Sequence, residues 1–551
     1  MNREDNVRVD RAAAKLSLAH IYVAFIGFAI AALCGLLQGL VRGGIVTLPK
    51  WLGYYQLLTT HGVMMGLVFT TFFIIGLFLA GAARTSDGKL SPAASKLGWI
   101  GWWMMTIGTG MATVTILMND ASVLYTFYAP MKASPWFYVG AALLVVGSWF
   151  GGYAIFANYA AWKKANRGKT SPLFQYMAVS TMILWQIATL GVAVEVVFQL
   201  IPWSFGWVDG VDILLSRSLF WFFGHPLVYF WLMPAYAVWY VSIPKIIGGK
   251  VFSDSLARTS FVLFILLSMP VGFHHQLMEP GISASWKMIH VILTLMVVVP
   301  SLMTAFSMFA TFETTGRAKG AKSLFGWFKT LPWGDVRFFA PFMGMLYFIP
   351  AGAGGIINAS NQLNQVIHNT IWVTGHFHLT VGTSVALTFF AAAYWIIPHL
   401  TGRKLTKTAN RLGIVQTVLW LVGMSMMSGA MHFLGLQGAP RRTDYTTYFN
   451  DETALGWMSY QKLMAMGGEI LFFSSILLIG LVVYLAFFAP KGEEEFPIGE
   501  TSENAEATPK VLERWGLWVG IAAFLIVLAY GVPLAQQINH APPASAGFRT
   551  W

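Results

Sequence analysis

The chain has 551 residues, of which 56% are hydrophobic, 15% are aromatic and only 11% are charged. Soluble proteins carry about 25% charged residues, so this composition excludes a soluble globular protein and predicts a multi-pass helical protein of the lipid bilayer. The net charge of +12 does not indicate a nucleic-acid partner, because the basic residues lie in loops between apolar segments.

Thirteen apolar segments of about 20 residues or more, each long enough to cross a bilayer, follow one another along the chain. Between residues 338 and 402 the chain has no Asp, Glu, Lys or Arg, and the polar stretch 358–365 divides this run into two helices. We predict an all-α membrane bundle of twelve core helices plus a thirteenth C-terminal helix, with residues 1–551 forming one integral-membrane domain. The predicted spans are 16–41, 54–83, 97–118, 136–162, 174–202, 213–243, 259–281, 286–312, 338–359, 366–399, 412–437, 460–489 and 512–538.

The distribution of lysine and arginine predicts the orientation of the chain. Most of the 35 basic residues lie in the N-terminal segment and in the loops after the even-numbered spans. Because loops rich in lysine and arginine stay in the cytoplasm, we expect a cytoplasmic N-terminus and, after an odd number of spans, a C-terminus outside. The segment 491–510 is rich in Glu and Pro, which predicts a flexible, acidic cytoplasmic linker.

Six of the twelve histidines fall inside predicted spans. A charged side chain at the centre of a bilayer costs about 2.5–3.5 kcal/mol on insertion scales, so ionisable groups at that depth indicate a function. At a rise of about 1.5 Å per residue, all six lie near the midplane or above it on the predicted outer side. Imidazole is a common ligand of copper and haem iron. The shared depth therefore predicts bound metal at His61, His225, His274, His275, His376 and His378.

Span ten contains the motif Gly375-His376-Phe377-His378. Two residues along a helix are about 200° apart, so the two imidazoles point to nearly opposite sides and can each ligate a haem. His61 can supply the second axial ligand of one of them. An iron with two histidine ligands is suited to electron transfer only, whereas an iron with one protein ligand keeps a position open for oxygen. The alternative is a pair of hydrogen-bonded core histidines.

Spans six and seven carry the other three histidines. His225 and Tyr229 are four residues apart and share one helix face. His274 and His275 are about 100° apart on a helix, just after a proline and a glycine that can bend it. Three neutral imidazoles suit a copper ion with one position open for a diatomic ligand. The alternatives are a histidine pair bound to loop carbonyls and a tyrosine that belongs to the core.

The set His-Pro-x-Val-Tyr, His-His, His-x-His and an upstream histidine resembles subunit I of the haem–copper oxygen reductases, and is most similar to the B-family cytochrome c oxidases. Residues 123–128, 202–206, 271–275 and 300–306 are also similar to that family. The resemblance implies that Tyr229 is covalently joined to His225. It further implies three cofactors with their ligands: a low-spin haem b on His61 and His378, a high-spin haem a or haem o on His376, and one copper ion on His225, His274 and His275.

Two further groups of polar residues are candidates for function. Arg441 and Arg442 lie in the outer loop after span eleven and suit haem propionates as charge-assisted partners, and His368 and Asn364 open span ten on the same side. The resemblance implies that the second group forms a single proton-input path, the alternative being hydroxyls bonded to their own helix backbone. This path comprises Tyr236, Tyr240, Ser253, Thr304 and Ser307.

Some ionisable residues have no predicted part in the site. Glu195 is an intramembrane acid to which the sequence assigns no role. Five histidines are predicted to lie near span ends, at the membrane interface: His20, His290, His399, His432 and His540.

The resemblance implies the catalytic subunit of a proton-pumping terminal oxidase that reduces O2 to water, in a bacterial or archaeal cell membrane. Tyr229 would supply one electron and one proton for cleavage of the O–O bond. It favours oxygen over nitric oxide, because nitric oxide reductases typically carry a glutamate near this position. Leu227 stands where the A family has a glutamate, so a glutamate-gated second proton channel is not expected.

Electron entry requires a partner subunit. The resemblance implies cytochrome c as the donor and a binuclear copper centre, which takes two cysteines, whereas the chain has only Cys34. We therefore expect a subunit II that carries that centre, and the resemblance further implies a small single-helix subunit. The alternatives are a quinol oxidase of the same family, a nitric oxide reductase and, from another class, a proton-coupled transporter that uses histidines as relays.

Overall fold

The computed structural model describes residues 7–501, 507–539, 544–549 and 551. Within these residues the chain is all-α, with isolated β-bridges and no β-strand, which confirms the predicted fold class. Twelve of the described helices are long and apolar enough to cross a bilayer. With a shorter helix in the place of the seventh predicted span, they are numbered α1 Arg11–Arg42, α2 Tyr54–Arg84, α3 Pro92–Leu117, α4 Pro135–Ala165, α5 Leu173–Phe205, α6 Ile213–Ile246, α7 Asp254–Ser268, α8 Ala284–Ala318, α9 Val336–Ala359, α10 Ile371–Thr401, α11 Lys407–Leu436, α12 Met458–Phe488 and α13 Trp515–Asn539.

The seventh span departs most from its prediction. Its helix, α7, ends at Ser268 after 15 residues, because Pro270 has no amide hydrogen to continue the helical ladder. At about 1.5 Å per residue it is about 22 Å long, short of a hydrocarbon core of about 30 Å. His274 and His275 lie beyond it in a short 3-10 turn, Phe273–Gln276. The expectation that they sit on a bent α-helix is therefore wrong.

Three helices form the centre of the bundle. In α2, α6 and α10 between 89% and 94% of the most apolar stretch is buried inside the protein, whereas α8 and α13 bury only 28% and 22%. The three central helices carry four of the six intramembrane histidines, namely His61, His225, His376 and His378. The peripheral helices therefore separate these side chains from lipid.

Helices α3 and α4 approach each other so closely that their contact requires glycine. A Cβ added to Gly108 would lie 2.5 Å from the carbonyl oxygen of Gly140, and a Cβ added to Gly140 would lie 2.7 Å from the carbonyl oxygen of Gly108. In lipid, where apolar side chains gain little by leaving the solvent, such small-residue contacts allow the van der Waals packing that holds helices together.

We expect Gly108→Val to lower the thermal unfolding midpoint, because the added side chain must push two backbones apart. Overpacking of this kind typically costs about 1–3 kcal/mol. Gly110→Val is the matched control on the same helix, since no atom lies within 4 Å of a Cβ placed there. Thermal denaturation of the purified protein, followed by circular dichroism, checks both variants. Equal midpoints for the two would contradict the close contact.

The segment predicted to be a flexible linker packs on the protein where the structure describes it. Phe496 is 2% exposed, and its ring lies 4.7 Å from that of Trp395 in α10. Glu494 forms an ion pair with Arg337 of α9 at 2.8 Å. These contacts correct the expectation of flexibility for residues 491–501, whereas residues 502–506 lie outside the described residues.

Candidate metal centre

A cavity of about 710 Å³ lies among the central helices. All six intramembrane histidines line it, although they come from α2, α6, α10 and the turn after α7. Tyr229 and the four residues predicted to face haem propionates line the same cavity. The predicted site residues that the fold brings together here are His61, His225, Tyr229, His274, His275, Asn364, His368, His376, His378, Arg441 and Arg442.

His225, His274 and His275 form a compact cluster. One ring nitrogen of each lies within 4.8 Å of those of the other two. The ring centroids of His225 and His274 are 4.4 Å apart, and Nδ1 of His225 is 3.4 Å from Nε2 of His275. Three imidazoles that converge on one point are a ligand set that suits copper, so these residues fit one copper ion.

A threonine of α8 orients His274. The hydroxyl of Thr294 donates a hydrogen bond to the carbonyl oxygen of His290 at 2.6 Å and lies 2.9 Å from Nδ1 of His274. Because the single hydroxyl hydrogen points to the carbonyl, Nδ1 of His274 must be the donor in the second contact. The neutral ring therefore keeps the lone pair of Nε2 for a metal, an arrangement typical of metal-binding histidines.

Aromatic side chains of α6 flank the other two histidines of the cluster. Trp221 stacks on His275 with ring centroids 3.9 Å apart and an angle of 7° between the planes. Nε2 of His225 is buried and has no hydrogen-bond partner among the described residues. The ring of Tyr229 lies 5.0 Å from that of His225. This unpartnered nitrogen is free to bond to Tyr229 or to a metal.

His61 and His378 face each other across the cavity with their ring centroids 6.2 Å apart and their planes only 11° from parallel. Nδ1 of His61 donates to the carbonyl oxygen of Ala31, and Nδ1 of His378 donates to that of Thr374, both at 2.8 Å. A carbonyl can only accept, so both rings keep an Nε2 lone pair. A metal–imidazole bond is about 2 Å long, which puts the centroids of two axial rings about 6 Å apart. The pair therefore fits one iron.

The other histidine of the His-x-His motif faces a different helix. A Cβ added to Gly354 of α9 would lie 2.6 Å from Nδ1 of His376, whereas His378 faces α2. Gly354 therefore leaves the space that the His376 ring occupies. The His376 ring therefore contacts α9 and the His378 ring faces α2, on nearly opposite sides of α10, as the helical spacing predicts.

A π-helical segment follows each of the paired histidines. Val63–Phe69 begins two residues after His61, and Thr380–Val385 begins two residues after His378. Such segments are rare and are frequent at functional sites. No periodicity in the sequence predicts them.

The two adjacent arginines carry positive charge into the cavity wall. Arg441 donates to the side-chain oxygen of Asn369 at 2.9 Å, and the guanidinium of Arg442 lies 5.4 Å from the ring centre of Tyr128. Among the described residues neither arginine forms an ion pair with a carboxylate. Burial and the neighbouring charge of Arg442 lower the pKa of Arg441 to about 10. Two cations without a counter-charge suit an anionic ligand such as haem propionates.

His368 and Asn364 are joined to each other. Nδ1 of His368 donates to the side-chain oxygen of Asn364 at 3.0 Å, and the side-chain amide of Asn364 donates to the carbonyl oxygen of Asn358 at 2.7 Å. With Nδ1 as the donor, Nε2 of His368 is left as an acceptor. The pair therefore offers the cavity a neutral hydrogen-bonding group and no carboxylate.

The residues of the predicted proton path lie on α6, on α8 and at the N-terminal cap of α7. The hydroxyl of Tyr236 donates to that of Ser301 at 3.5 Å, and the hydroxyls of Tyr240 and Ser307 are buried without a partner among the described residues. Thr304 donates to the carbonyl oxygen of Pro300 in its own helix. Ser253 caps α7 by accepting a hydrogen bond from the backbone amide of Leu256 at 3.2 Å. This bond to the helix backbone is the structural role predicted as the alternative to a proton path.

Sequence reasoning missed three residues of this region. Ser301 lies one turn before Thr304 and was detectable from that spacing. Thr294 orients His274 and Trp221 stacks on His275, but neither residue belongs to a sequence motif that would have identified it.

Where the structure describes them, the ionisable residues without a predicted role do not line the cavity. Glu195 is fully buried and bonds to the hydroxyl of Ser216 at 2.6 Å. His20 and His290 are also fully buried within the protein, and their placement at the membrane interface stays a prediction. His540 lies outside the described residues.

Comparison with known proteins gives concordant matches. The sequence profile for "Cytochrome C and Quinol oxidase polypeptide I" matches residues 15–470. Cytochrome c oxidase subunit 1 of Thermus thermophilus is 43% identical over 550 residues, or 98% of this chain and 97% of that one. Quinol oxidase subunit 1 of Bacillus subtilis is 24% identical over 78% of this chain and 65% of that one. A solved heme-copper terminal oxidase dimer matches with a TM-score of 0.93 and 37% identity over 98% of this chain and 96% of that chain.

Proposed function

The chain belongs to the cytochrome c and quinol oxidase polypeptide I family, and from this premise we propose how its residues carry out oxygen reduction. It is the catalytic subunit of a respiratory terminal oxidase that reduces O2 to water with electrons from cytochrome c. We assign it to the B family on its motifs and on Leu227, which replaces the glutamate of the A family. One observation carries the proposal, namely that the cluster of three histidines, His376 and the parallel pair His61–His378 share one cavity.

Each set of ligands has a separate task. His61 and His378 would hold a low-spin haem b, His376 a high-spin haem a or haem o, and the cluster of His225, His274 and His275 one copper ion. When bound, these groups supply electrons and the position at which oxygen binds. Because His61 and His378 would both bind the first haem, that haem would be suited to electron transfer only. Because His376 would be the only protein ligand of the second haem, that haem would keep a position for oxygen.

Tyr229 is proposed to supply one electron and one proton to oxygen. It lies one turn after His225 on the same helix face, with the two rings 5.0 Å apart. The buried, unpartnered Nε2 of His225 supports a covalent bond between these side chains. Two hydrogen atoms leave when that bond forms, and oxygen, the substrate of the enzyme, accepts them.

The proton path is proposed to run along α6 and α8 to Tyr229. Its hydroxyls are those of Ser253, Thr304, Ser307, Tyr240 and Tyr236, to which the contact of Tyr236 with Ser301 adds one more. The buried hydroxyls of Tyr240 and Ser307 have no protein partner among the described residues. They therefore have hydrogen-bonding capacity left for water, which a chain of proton transfers requires.

We expect Tyr240→Phe to slow turnover by at least about 10-fold, because positioned proton donors contribute about 10²-fold or more to such transfers. Reduction of the low-spin haem should keep its wild-type rate, since no histidine ligand changes. Oxygen consumption and stopped-flow haem reduction measure the two effects. Tyr394→Phe is the matched control, because Tyr394 is equally buried and bonds to Gln416 of α11 at 3.0 Å, away from the path. Equal turnover in the two variants would contradict the path.

The propionates of the haems are proposed to bind Arg441 and Arg442, with His368 and Asn364 beside them. These four residues line the cavity at the same end of α10 and α11. Their side chains offer cationic and neutral donors and no acid. The absence of an ion pair for either arginine among the described residues supports an anionic partner.

Electron entry is proposed to use a second subunit that carries a binuclear copper centre, with a small single-helix subunit alongside. Cys34 alone cannot build such a centre. We propose that the N-terminus lies in the cytoplasm and the C-terminus outside a bacterial or archaeal cell membrane, and the excess of lysine and arginine in alternate loops supports this orientation. Two cysteines in the partner subunit would favour cytochrome c over quinol as donor.

A reduced-minus-oxidised optical spectrum of the purified protein tests the proposal. We expect bands of one low-spin and one high-spin haem, and metal analysis of this chain without the partner subunit should find one copper per pair of haems. Extraction of the haems into pyridine separates haem a from haem o at the high-spin site. A colourless protein would favour the proton-coupled transporter, and faster turnover on nitric oxide than on oxygen would favour nitric oxide reductase.

A further inference from the structure

A histidine that is not among the proposed metal ligands holds the loop that carries two of them. His290 lies in the first turns of α8 and is fully buried. Its Nδ1 accepts hydrogen bonds from the backbone amides of Gly272 at 3.1 Å and Phe273 at 3.2 Å. These amides come directly before His274 and His275, after the point where α7 has ended.

The C-terminal helix fixes the protonation of this ring. Nε2 of His290 is 3.1 Å from the carbonyl oxygen of Ala529 in α13. Since a carbonyl can only accept, Nε2 carries the hydrogen, and Nδ1 has a lone pair for the two amides. The rings of Phe273 and Tyr530 lie 4.3 and 4.9 Å from that of His290 and keep it in place.

The same turns of α8 reach the ligand itself. Thr294, one turn after His290, accepts from Nδ1 of His274 and donates to the carbonyl oxygen of His290. His290 thus fixes the backbone before the ligand, and Thr294 fixes the ring of the ligand. The amides of Gly272 and Phe273 lie outside any α-helix and have no helical carbonyl as acceptor. Nδ1 of His290 accepts their hydrogen bonds instead.

We propose that His290 is a positioning residue for the copper site, which holds the loop before His274 and His275 in the conformation that ligates copper and ties that loop to α13. This inference rests on the proposed copper site. Groups that support metal ligands from outside the coordination sphere typically contribute about 10-fold to 100-fold in metal affinity. His290 acts through the loop and does not touch the metal or the substrate.

Two substitutions at His290 separate the hydrogen bonds from the bulk of the side chain. His290→Leu removes the acceptor for both amides. His290→Asn places its side-chain oxygen near the position of Nδ1 and should accept from the same amides. His20→Leu is the matched control, because His20 is equally buried and its Nδ1 bonds only to the carbonyl oxygen of Leu16 in its own helix.

The full complex is used for the measurements. Copper affinity is obtained by competition with a chelator, and the infrared stretch of carbon monoxide on the cuprous ion reports the ligand geometry. We expect His290→Leu to weaken copper binding by about 10-fold to 100-fold and to shift the stretch. We expect His290→Asn and His20→Leu to match the wild type. The optical spectrum of the low-spin haem, held by distant residues, shows whether each variant is folded.

Wild-type copper affinity and an unshifted carbon monoxide stretch in His290→Leu would overturn the inference. If that variant loses the low-spin haem as well, His290→Asn decides, and copper loss in a folded His290→Asn protein also overturns it. A wild-type complex without copper would refute the proposed function instead.

Discussion

Replacement of His376 by alanine should abolish oxygen reduction while leaving the spectrum of the low-spin haem unchanged. His376 is the only ligand proposed for the high-spin haem, and the adjacent Gly354 has no side chain that could replace it. Loss of a group that merely supports a metal ligand costs about 10-fold to 100-fold, so loss of the ligand should exceed that. The pair His61–His378 has its own backbone partners, Ala31 and Thr374, and should still hold its haem.

Oxygen consumption and the reduced-minus-oxidised spectrum of the purified variant check this expectation. His432→Ala is the matched control, because His432 also lies next to Trp372, at 4.9 Å between ring centroids, but does not line the cavity. That control should keep most of its turnover. Respiration that survives His376→Ala would falsify the assignment of the oxygen site.

Tyr229→Phe should reduce turnover by about 10²-fold or more, with both haems and copper still bound. Phenylalanine fills the same space but has no hydroxyl to give a proton and no phenol from which an electron is easily removed. Reduction of oxygen would then lack one electron at the site, so partly reduced oxygen should escape. We expect the variant to release hydrogen peroxide while the wild type releases almost none.

The measurements are oxygen consumption, peroxide release and metal content on the same preparation. Tyr138→Phe serves as control, because Tyr138 is fully buried and its hydroxyl accepts from the amide of Ala133, outside the cavity. A Tyr229→Phe protein with full metal content and wild-type turnover would show that another residue supplies the last electron. Loss of copper in this variant would instead assign Tyr229 a purely structural part.

Much of the site was predictable because its signals are local. Two histidines that are two positions apart on a helix must point to nearly opposite sides, and the structure places His376 against α9 and His378 against α2. His225 and Tyr229 are four positions apart, which puts both on one helix face, as observed. The hydropathy that locates the spans is likewise a property of short windows of sequence.

The errors arose where a local pattern competes with distant contacts. The apolar run 259–281 reads as one span, yet its helix stops at Ser268 and the rest is a loop held by His290 of α8. The acidic segment after 491 reads as flexible, yet Phe496 is buried against Trp395 of α10. In both cases residues far away in the chain supply contacts that composition does not reveal.

The sequence by itself determined the class of molecule, the number and order of most spans, and the residue types able to bind haem and copper, because hydrophobicity and helical spacing depend only on neighbouring residues. Only the tertiary structure decided that these residues meet in one cavity, which nitrogen of each ring is free, and which groups hold the ligands still. Those properties depend on backbone carbonyls that accept from the rings, on glycines that leave space for a side chain, and on hydroxyl groups, most of them from helices distant in sequence. Such partners become neighbours only when the bundle packs.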